Sequence, residues 1–92
     1  MSAAGPDRFH LRVVTSKSLL VETEVDEVQI PTIDGLIGVF PHHRPLVAAL
    51  GRGVLTYRQG KYEERFPIEG GYAEVGPDAV IVFTESTEEE RV

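Results

Sequence analysis

The sequence has no cysteine, little positive charge and no long apolar run. Without cysteine, neither a disulfide nor a thiolate zinc site can supplement the core of this 92-residue chain. Nine basic against fifteen acidic residues give a formal charge of −6, which argues against partners that bind through phosphates or an anionic membrane surface. Uncharged stretches such as residues 45–51 are too short to cross a bilayer. We therefore expect no nucleic-acid partner and no direct membrane insertion, and stability must come from packing.

The composition is typical of a chain that folds by itself into one domain. Hydrophobic residues make up 41% and charged residues 26%, close to the averages for soluble globular proteins. Nine glycines and six prolines recur too often to leave room for many helices of ten residues. We predict a folded domain at residues 9–84, between a flexible N-terminal tail at 1–8 and an acidic C-terminal tail at 85–92.

Period-two alternation and turn residues predict short strands throughout the domain. The tight turn at Gln59-Gly60 indicates a β-hairpin, and residues 46–50 could form a strand or one helical turn. The last run, 79–84, is apolar enough for the middle of the core. Nine or ten strands at this spacing predict an all-β sandwich or barrel. The predicted strands cover residues 9–13, 19–21, 25–30, 36–40, 46–50, 54–58, 61–68, 72–75 and 79–84.

Acidic side chains follow the first strand and are interpreted as a solvated face of the second and third. The residues concerned are Glu22, Glu24, Asp26 and Glu27.

One segment of the chain carries a recognisable motif. The pattern G-x-x-G, two apolar residues, then P-x-H-x-P-L is matched by Gly35, Gly38, Pro41, His43, Pro45 and Leu46. A second signature follows at Gly70-Gly71, Glu74-Val75 and Pro77. With these motifs the chain resembles, over about residues 9–84, the N-terminal β-sandwich domain of the ε subunit of rotary F-type ATP synthases.

The resemblance implies a flattened sandwich of two roughly five-stranded sheets and a non-catalytic role without a cofactor. Its partners would be the γ subunit, the polar loops of the c-ring and the α/β head of the complex. The resemblance implies a peripheral rotor subunit on the cytoplasmic side of the bacterial inner membrane. The positions it assigns to the γ contact are Thr15, His43, Val47 and Ala48, and those it assigns to the c-ring contact are Asp34, Leu36 and Val39.

Two features depart from the family pattern. Many members have a glutamate where this chain has Leu36, so the ring contact is expected to be more apolar or differently placed. Members usually continue into a pair of C-terminal helices that can block rotation. Eight residues follow Thr84, and eight residues of helix would span only about 12 Å, so we expect no such brake from this chain.

Other functions are compatible with the fold class alone. His42, His43 and His10 suggest a metal site, but adjacent residues on an extended chain point to opposite faces. Residues 35–38 lack the lysine of a phosphate loop and precede a strand rather than a helix. Apolar residues within 36–40 could be core or an exposed binding patch. The alternative is a small cupin-like enzyme or a carbohydrate-binding sandwich, which would bind metal or sugar.

Overall fold

The computed structural model describes residues 7–87, and none of these residues is helical. The all-β class predicted from the turn signals is therefore confirmed, and no described segment is a helix long and apolar enough to cross a membrane. Most of the two predicted tails, residues 1–6 and 88–92, lies outside the described residues. The strands are β1 (Phe9–Val14), β2 (Leu19–Val25), β3 (Glu27–Thr32), β4 (Gly35–Val39), β5 (Leu46–Ala49), β6 (Arg52–Gln59), β7 (Tyr62–Val75) and β8 (Ala79–Thr87).

Hydrogen bonds join the strands in the order β2-β1-β8-β7-β6-β3-β4, and β5 pairs with β7. β1 and β8 are parallel, and the other pairs are antiparallel. The first part of β7, residues 62–69, pairs with β6, whereas its last residues pair with β5 and β8. β7 therefore belongs to two layers. Layer I contains β2, β1, β8, the end of β7 and β5, and layer II contains the start of β7, β6, β3 and β4.

Two glycines bend β7 where it passes from one layer to the other. Gly70 and Gly71 have φ angles of +74° and +98°, which L side chains rarely adopt. A Cβ on Gly71 would lie 1.8 Å from the carbonyl oxygen of Phe83, so only glycine allows β8 to approach this closely. The sequence predicted a break at this position. The bend keeps residues 62–75 in one strand, which is why residues 7–87 form eight strands rather than nine or ten.

Apolar residues at alternate positions of both layers form one core. Leu11 and Val13 of β1 belong to the same buried cluster as Val28 and Ile30 of β3, although three strands separate β1 from β3 in the sheet order. The sheet must therefore fold onto itself to bring them together, as in a sandwich. Each fully buried side chain of this size stabilises the fold by about 1.5–3 kcal/mol relative to exposure.

Several predicted elements can be compared directly with the strands. The hairpin is confirmed, with Gln59 paired with Tyr62 across a turn at residues 60–61. Residues 46–50 form strand rather than helix, and β8 continues to Thr87, three residues beyond the predicted end of the domain. β8 lies between β1 and β7, but only alternate residues are buried. Val80 and Val82 face the core, whereas Ile81 and Phe83 are partly exposed.

Candidate protein-binding surface

The two ends of the sandwich differ in the hydrogen bonds that hold them together. At one end the β3–β4 turn, the bend in β7 and the end of β5 meet. There the amide of Ile33 donates to the carbonyl oxygen of Ala49 at 3.0 Å, and the amide of Leu50 donates to that of Gly71 at 2.9 Å. We call this the exposed end because large apolar side chains are left uncovered there. The opposite end, around Asp26 and the turn at Gly60, we call the paired end.

An apolar row crosses the outer face of layer I near the exposed end. The cross-strand register places five residues side by side, namely Ala49, Tyr72, Phe83, Val14 and Leu19. Tyr72 is 44% exposed and Leu19 is 53% exposed. The rings of Tyr72 and Phe83 stack with centroids 4.8 Å apart and an interplanar angle of 26°, which fixes their orientation. A rigid aromatic pair with one face uncovered is a suitable anchor for a protein partner.

An open cavity of about 450 Å³ lies over this row. Its lining combines the aromatic pair with hydroxyl groups and one carboxylate, from Val14, Thr15, Ser16, Gly71, Tyr72, Phe83, Thr84 and Glu85. The surface can therefore accept an apolar side chain and hydrogen bonds at its rim.

The four residues predicted at the γ contact lie in two places. Val47 and Ala48 are on edge strand β5, where Val47 is 68% exposed and Ala48 is opposite buried Ala73. His43 lies in the loop before β5. Thr15 lies beyond the end of β1, three strand positions from β5 in layer I, or about 14 Å at ordinary strand spacing. Val47 shares the outer face of layer I with the apolar row, which extends from β5 to Val14 beside Thr15, whereas Ala48 points to the opposite face of β5.

Local hydrogen bonds hold two of these residues. The hydroxyl oxygen of Thr15 accepts from the amides of Lys17 and Ser18, both at 3.1 Å, which closes the turn between β1 and β2. His43 Nδ1 lies 2.7 Å from the carbonyl oxygen of Arg44. Because a carbonyl oxygen only accepts, Nδ1 is the donor in this contact.

The β3–β4 hairpin carries the residues predicted at the c-ring contact. Ile33 and Leu36 are 68% and 61% exposed, and Asp34 between them is also exposed. The hydroxyl of Thr32 donates to the carbonyl oxygen of Gly35 at 2.6 Å and accepts from the amide of Asp34 at 3.1 Å. The tip is therefore a rigid apolar projection with one carboxylate.

Val39 is placed differently from the other two residues predicted at the ring contact. Its side chain is fully buried, and it lies at the far end of β4. It can influence a contact at the tip only indirectly, through the strand that it anchors.

At the paired end the acidic residues are not all solvated. Asp26, predicted on a solvated face, is 6% exposed, because it links three segments. It accepts from Arg8 Nε at 2.8 Å and from the amide of Gly60 at 2.6 Å, and Arg58 Nη1 lies 3.6 Å away. The hydrogen bond from Arg8 and then that from Gly60 hold the pKa of Asp26 below its usual value.

The histidines considered as metal ligands are separated by their own partners. His42 Nε2 lies 2.7 Å from Asp7 Oδ2, His43 contacts the Arg44 carbonyl, and His10 lies on the outer face of layer I. Among the described residues, no group of three or more His, Cys, Asp or Glu side chains is arranged to hold a metal ion.

The model of one protein family, the β-sandwich domain of the ATP synthase delta/epsilon chain, matches residues 8–90. The chain belongs to this family. The resemblance noted in the motifs is thereby confirmed. The membership also agrees with the expectation that the chain is a structural or coupling subunit of ATP synthase rather than the catalytic one.

Individual relatives give the same result. The chain is 41% identical over 83 residues to the ATP synthase epsilon chain of Solibacter usitatus, covering 90% of this chain and 62% of that protein. It is 38% identical over 81 residues to the epsilon chain of Moorella thermoacetica, covering 87% and 60%. The chain thus spans about three fifths of the length of these relatives.

The fold agrees with a chain of known structure. A chain in the cryo-EM structure of the Euglena gracilis mitochondrial ATP synthase, with OSCP, F1 and c-ring, superposes with a TM-score of 0.83 at 24% identity. The superposition covers 100% of this chain and 60% of that one.

Sequence reasoning missed the aromatic pair and Ile33 as surface residues. The run 79–84 was interpreted as central to the core, and Tyr72 as an ordinary strand residue. Their exposure depends on the strand register, because Tyr72, Phe83 and Val14 share an outer face only when β7, β8 and β1 are aligned as neighbours.

Proposed function

We propose that the chain is the β-sandwich part of a rotor subunit that binds the γ subunit and contacts the c-ring. In this way it couples proton flow to ATP synthesis. The observation that carries the proposal is the family match over residues 8–90. The subunit is peripheral, on the cytoplasmic side of a bacterial inner membrane, within the F1 part that also holds the α/β head.

The apolar row and β5 together form the proposed γ surface. Tyr72, Leu19 and Val47 are each more than two fifths exposed. Permanent interfaces are more apolar than transient ones and exclude water around aromatic anchors. A subunit that turns with its partner requires an interface of this permanent kind.

The β3–β4 hairpin is the proposed c-ring contact. Ile33 and Leu36 project from its tip, and Asp34 offers a carboxylate to donors on a polar loop. Because Leu36 replaces the glutamate common in the family, the contact depends on apolar packing beside one charge. It should therefore be less sensitive to salt than a contact made of ion pairs.

Both contacts can be tested in one experiment, because the chain has no cysteine and each variant then carries a single thiol. Val47→Cys, Leu36→Cys and the control Val54→Cys are labelled with a thiol-directed photo-crosslinker and assembled into the complete ATP synthase. All three positions are exposed, so the fold is preserved. Val54 is on β6, in layer II, outside both proposed surfaces.

We expect Val47→Cys to crosslink to γ, Leu36→Cys to the c subunit, and Val54→Cys to neither. Crosslinks from Val54→Cys equal to those from Val47→Cys would show that the γ surface is wrongly placed. Failure of the unmodified chain itself to enter the complex would contradict the proposed function.

A further inference from the structure

A cluster of four charged or titratable side chains lies on the outer face of layer I, next to the apolar row and toward the paired end. His10 and Arg12 of β1 are opposite Glu24 and Glu22 of β2 in the register. His10 Nδ1 lies 2.8 Å from Glu24 Oε2, and His10 Nε2 lies 3.1 Å from Glu22 Oε2. Arg12 Nη2 contacts the same Glu22 oxygen at 3.3 Å. The proposed function does not use these groups.

This geometry requires a particular protonation state. An ionised carboxylate can only accept a hydrogen bond, so each ring nitrogen of His10 must donate. A neutral imidazole has one donor, and the other nitrogen would then direct its lone pair at a carboxylate oxygen. Both contacts are favourable only when the ring carries two protons and a positive charge.

The strand held by this cluster is at the edge of layer I. β2 is the first strand in the sheet order and has β1 as its neighbour there. The same segment of β2 is also tied to β6, because Gln59 Nε2 donates to Thr23 Oγ1 and to the carbonyl oxygen of Glu24, both at 2.7 Å. Edge strands have few partners to keep them in place, so a side-chain link matters more here than in the middle of the sheet.

We propose that protonated His10 is a pH-dependent link between β1 and edge strand β2, and that loss of its proton weakens the pairing of β2. The inference concerns the sandwich itself and does not depend on the proposed partners.

The surrounding groups determine the direction of the effect. The hydrogen bond to Glu24 and then that to Glu22 raise the pKa of His10 above 6.5. The hydrogen bond from His10 and then the charge of Arg12 lower the pKa of Glu22 below 4.5. On the other side β8 presents uncharged Ala79 opposite His10.

Asp78, the residue before β8, offers its backbone carbonyl oxygen there, which accepts from the amide of His10 at 3.0 Å, and β8 itself contains no lysine, arginine or histidine. No cation from β8 therefore opposes protonation of the ring.

These pKa shifts determine how the stabilisation from the cluster changes with pH. The stabilisation from His10 is fully present below its unfolded pKa of 6.5 and is lost as pH rises through the raised folded value. The stabilisation from Glu22 is present above 4.5 and is lost as pH falls through its lowered value. The link is therefore strongest between these two limits and weakens on the alkaline side.

Hydrogen exchange of the β2 amides in the 92-residue chain tests the proposal, together with NMR titration of the histidine rings. Rates are measured between about pH 5 and pH 9, across the titration range of histidine, and corrected for the intrinsic pH dependence of exchange. We expect His10 to titrate above 6.5. As it does so, protection of the β2 amides should fall by about two- to five-fold, as expected for an exposed pair.

Two variants separate this link from a general effect of pH. In His10→Gln the protection of β2 should no longer depend on pH, whereas His43→Gln, whose ring contacts only a carbonyl oxygen in the described structure, should keep the dependence. Replacing both Glu22 and Glu24 with glutamine should lower the pKa of His10. The NMR titration measures this directly, independently of hydrogen exchange in β2. An unchanged pKa in that double variant, or the same pH dependence in His10→Gln, would overturn the proposal.

Discussion

The paired end and the exposed end of the sandwich differ in how their side chains are satisfied. At the paired end, buried Asp26 is satisfied within the chain by Arg8 and Gly60. At the exposed end, Ile33, Leu36 and Tyr72 remain uncovered, although the backbone beneath them is fixed by hydrogen bonds. Large exposed apolar groups on a rigid support are characteristic of interaction surfaces. Phe40 and Tyr62, near the paired end, are also about half exposed, so the two ends differ in how their polar groups are satisfied rather than in apolar exposure alone.

The largest effect is expected where the exposed end depends on the bend in β7. Gly71→Ala forces a side chain onto φ +98° and places Cβ 1.8 Å from the Phe83 carbonyl oxygen. Backbone strain and overpacking together should lower the free energy of unfolding by about 3 kcal/mol or more. Urea unfolding measures this.

Gly35→Ala is the matched control for that substitution. Gly35 also has positive φ, +122°, but nothing lies within 4 Å of its added Cβ, so only the backbone strain of about 1–2 kcal/mol remains. Equal losses for the two variants would mean that the approach of β8 does not require glycine.

A smaller effect should separate two residues of β4 that the sequence assigned to one contact. Val39→Ala removes two buried methyl groups and should cost about 2.5 kcal/mol of unfolding free energy, because Val39 is fully buried. Leu36→Ala should change stability by less than about 0.5 kcal/mol, since Leu36 is 61% exposed. If Leu36→Ala were as destabilising as Val39→Ala, the hairpin tip would be part of the core rather than a surface for contact.

The smallest of the three effects tests the paired end. Asp26→Asn keeps the shape but sets an amide N–H against one of the donors, Arg8 or Gly60, and should cost about 2 kcal/mol. Exposed Asp78 supplies the control Asp78→Asn, with a change below about 0.5 kcal/mol.

The cost of Asp26→Asn should also depend on pH. Because the pKa of Asp26 is lowered from 3.8, the stabilisation is present above that value and disappears as pH falls through the lowered pKa. A cost that stays constant into strong acid would show that the charge of Asp26 is not responsible.

The sequence predicted the features that depend on neighbours along the chain. The hairpin around Gln59-Gly60 follows from alternation and a two-residue turn, both of which are local. The bend at Gly70-Gly71 was interpreted as a break, because glycine marks a bend and a turn in the same way. Whether Phe83 faces the core or the solvent depends on which strands cover it, and no local pattern contains that information.

The candidate site was predictable to a similar extent. The motif directed attention to the β3–β4 hairpin and to β5, where Leu36 and Val47 are indeed exposed. It did not distinguish them from buried Val39, since the match is made residue by residue along the chain. Burial of Asp26 was missed for a related reason, because its partners Arg8 and Gly60 are distant in sequence.

The parallel pairing of β1 with β8 has a consequence for how the protein is made. His10 is aligned with Ala79 and Val14 with Phe83. The first strand of the domain, β1, therefore pairs with the last strand, β8. Until β8 has left the ribosome, the apolar side of β1 lacks the strand beside it. Contacts between such distant parts of a chain make folding slow, in milliseconds to seconds rather than microseconds. The nascent domain therefore depends on its final strand, and its core can be completed only after β8 has been synthesised.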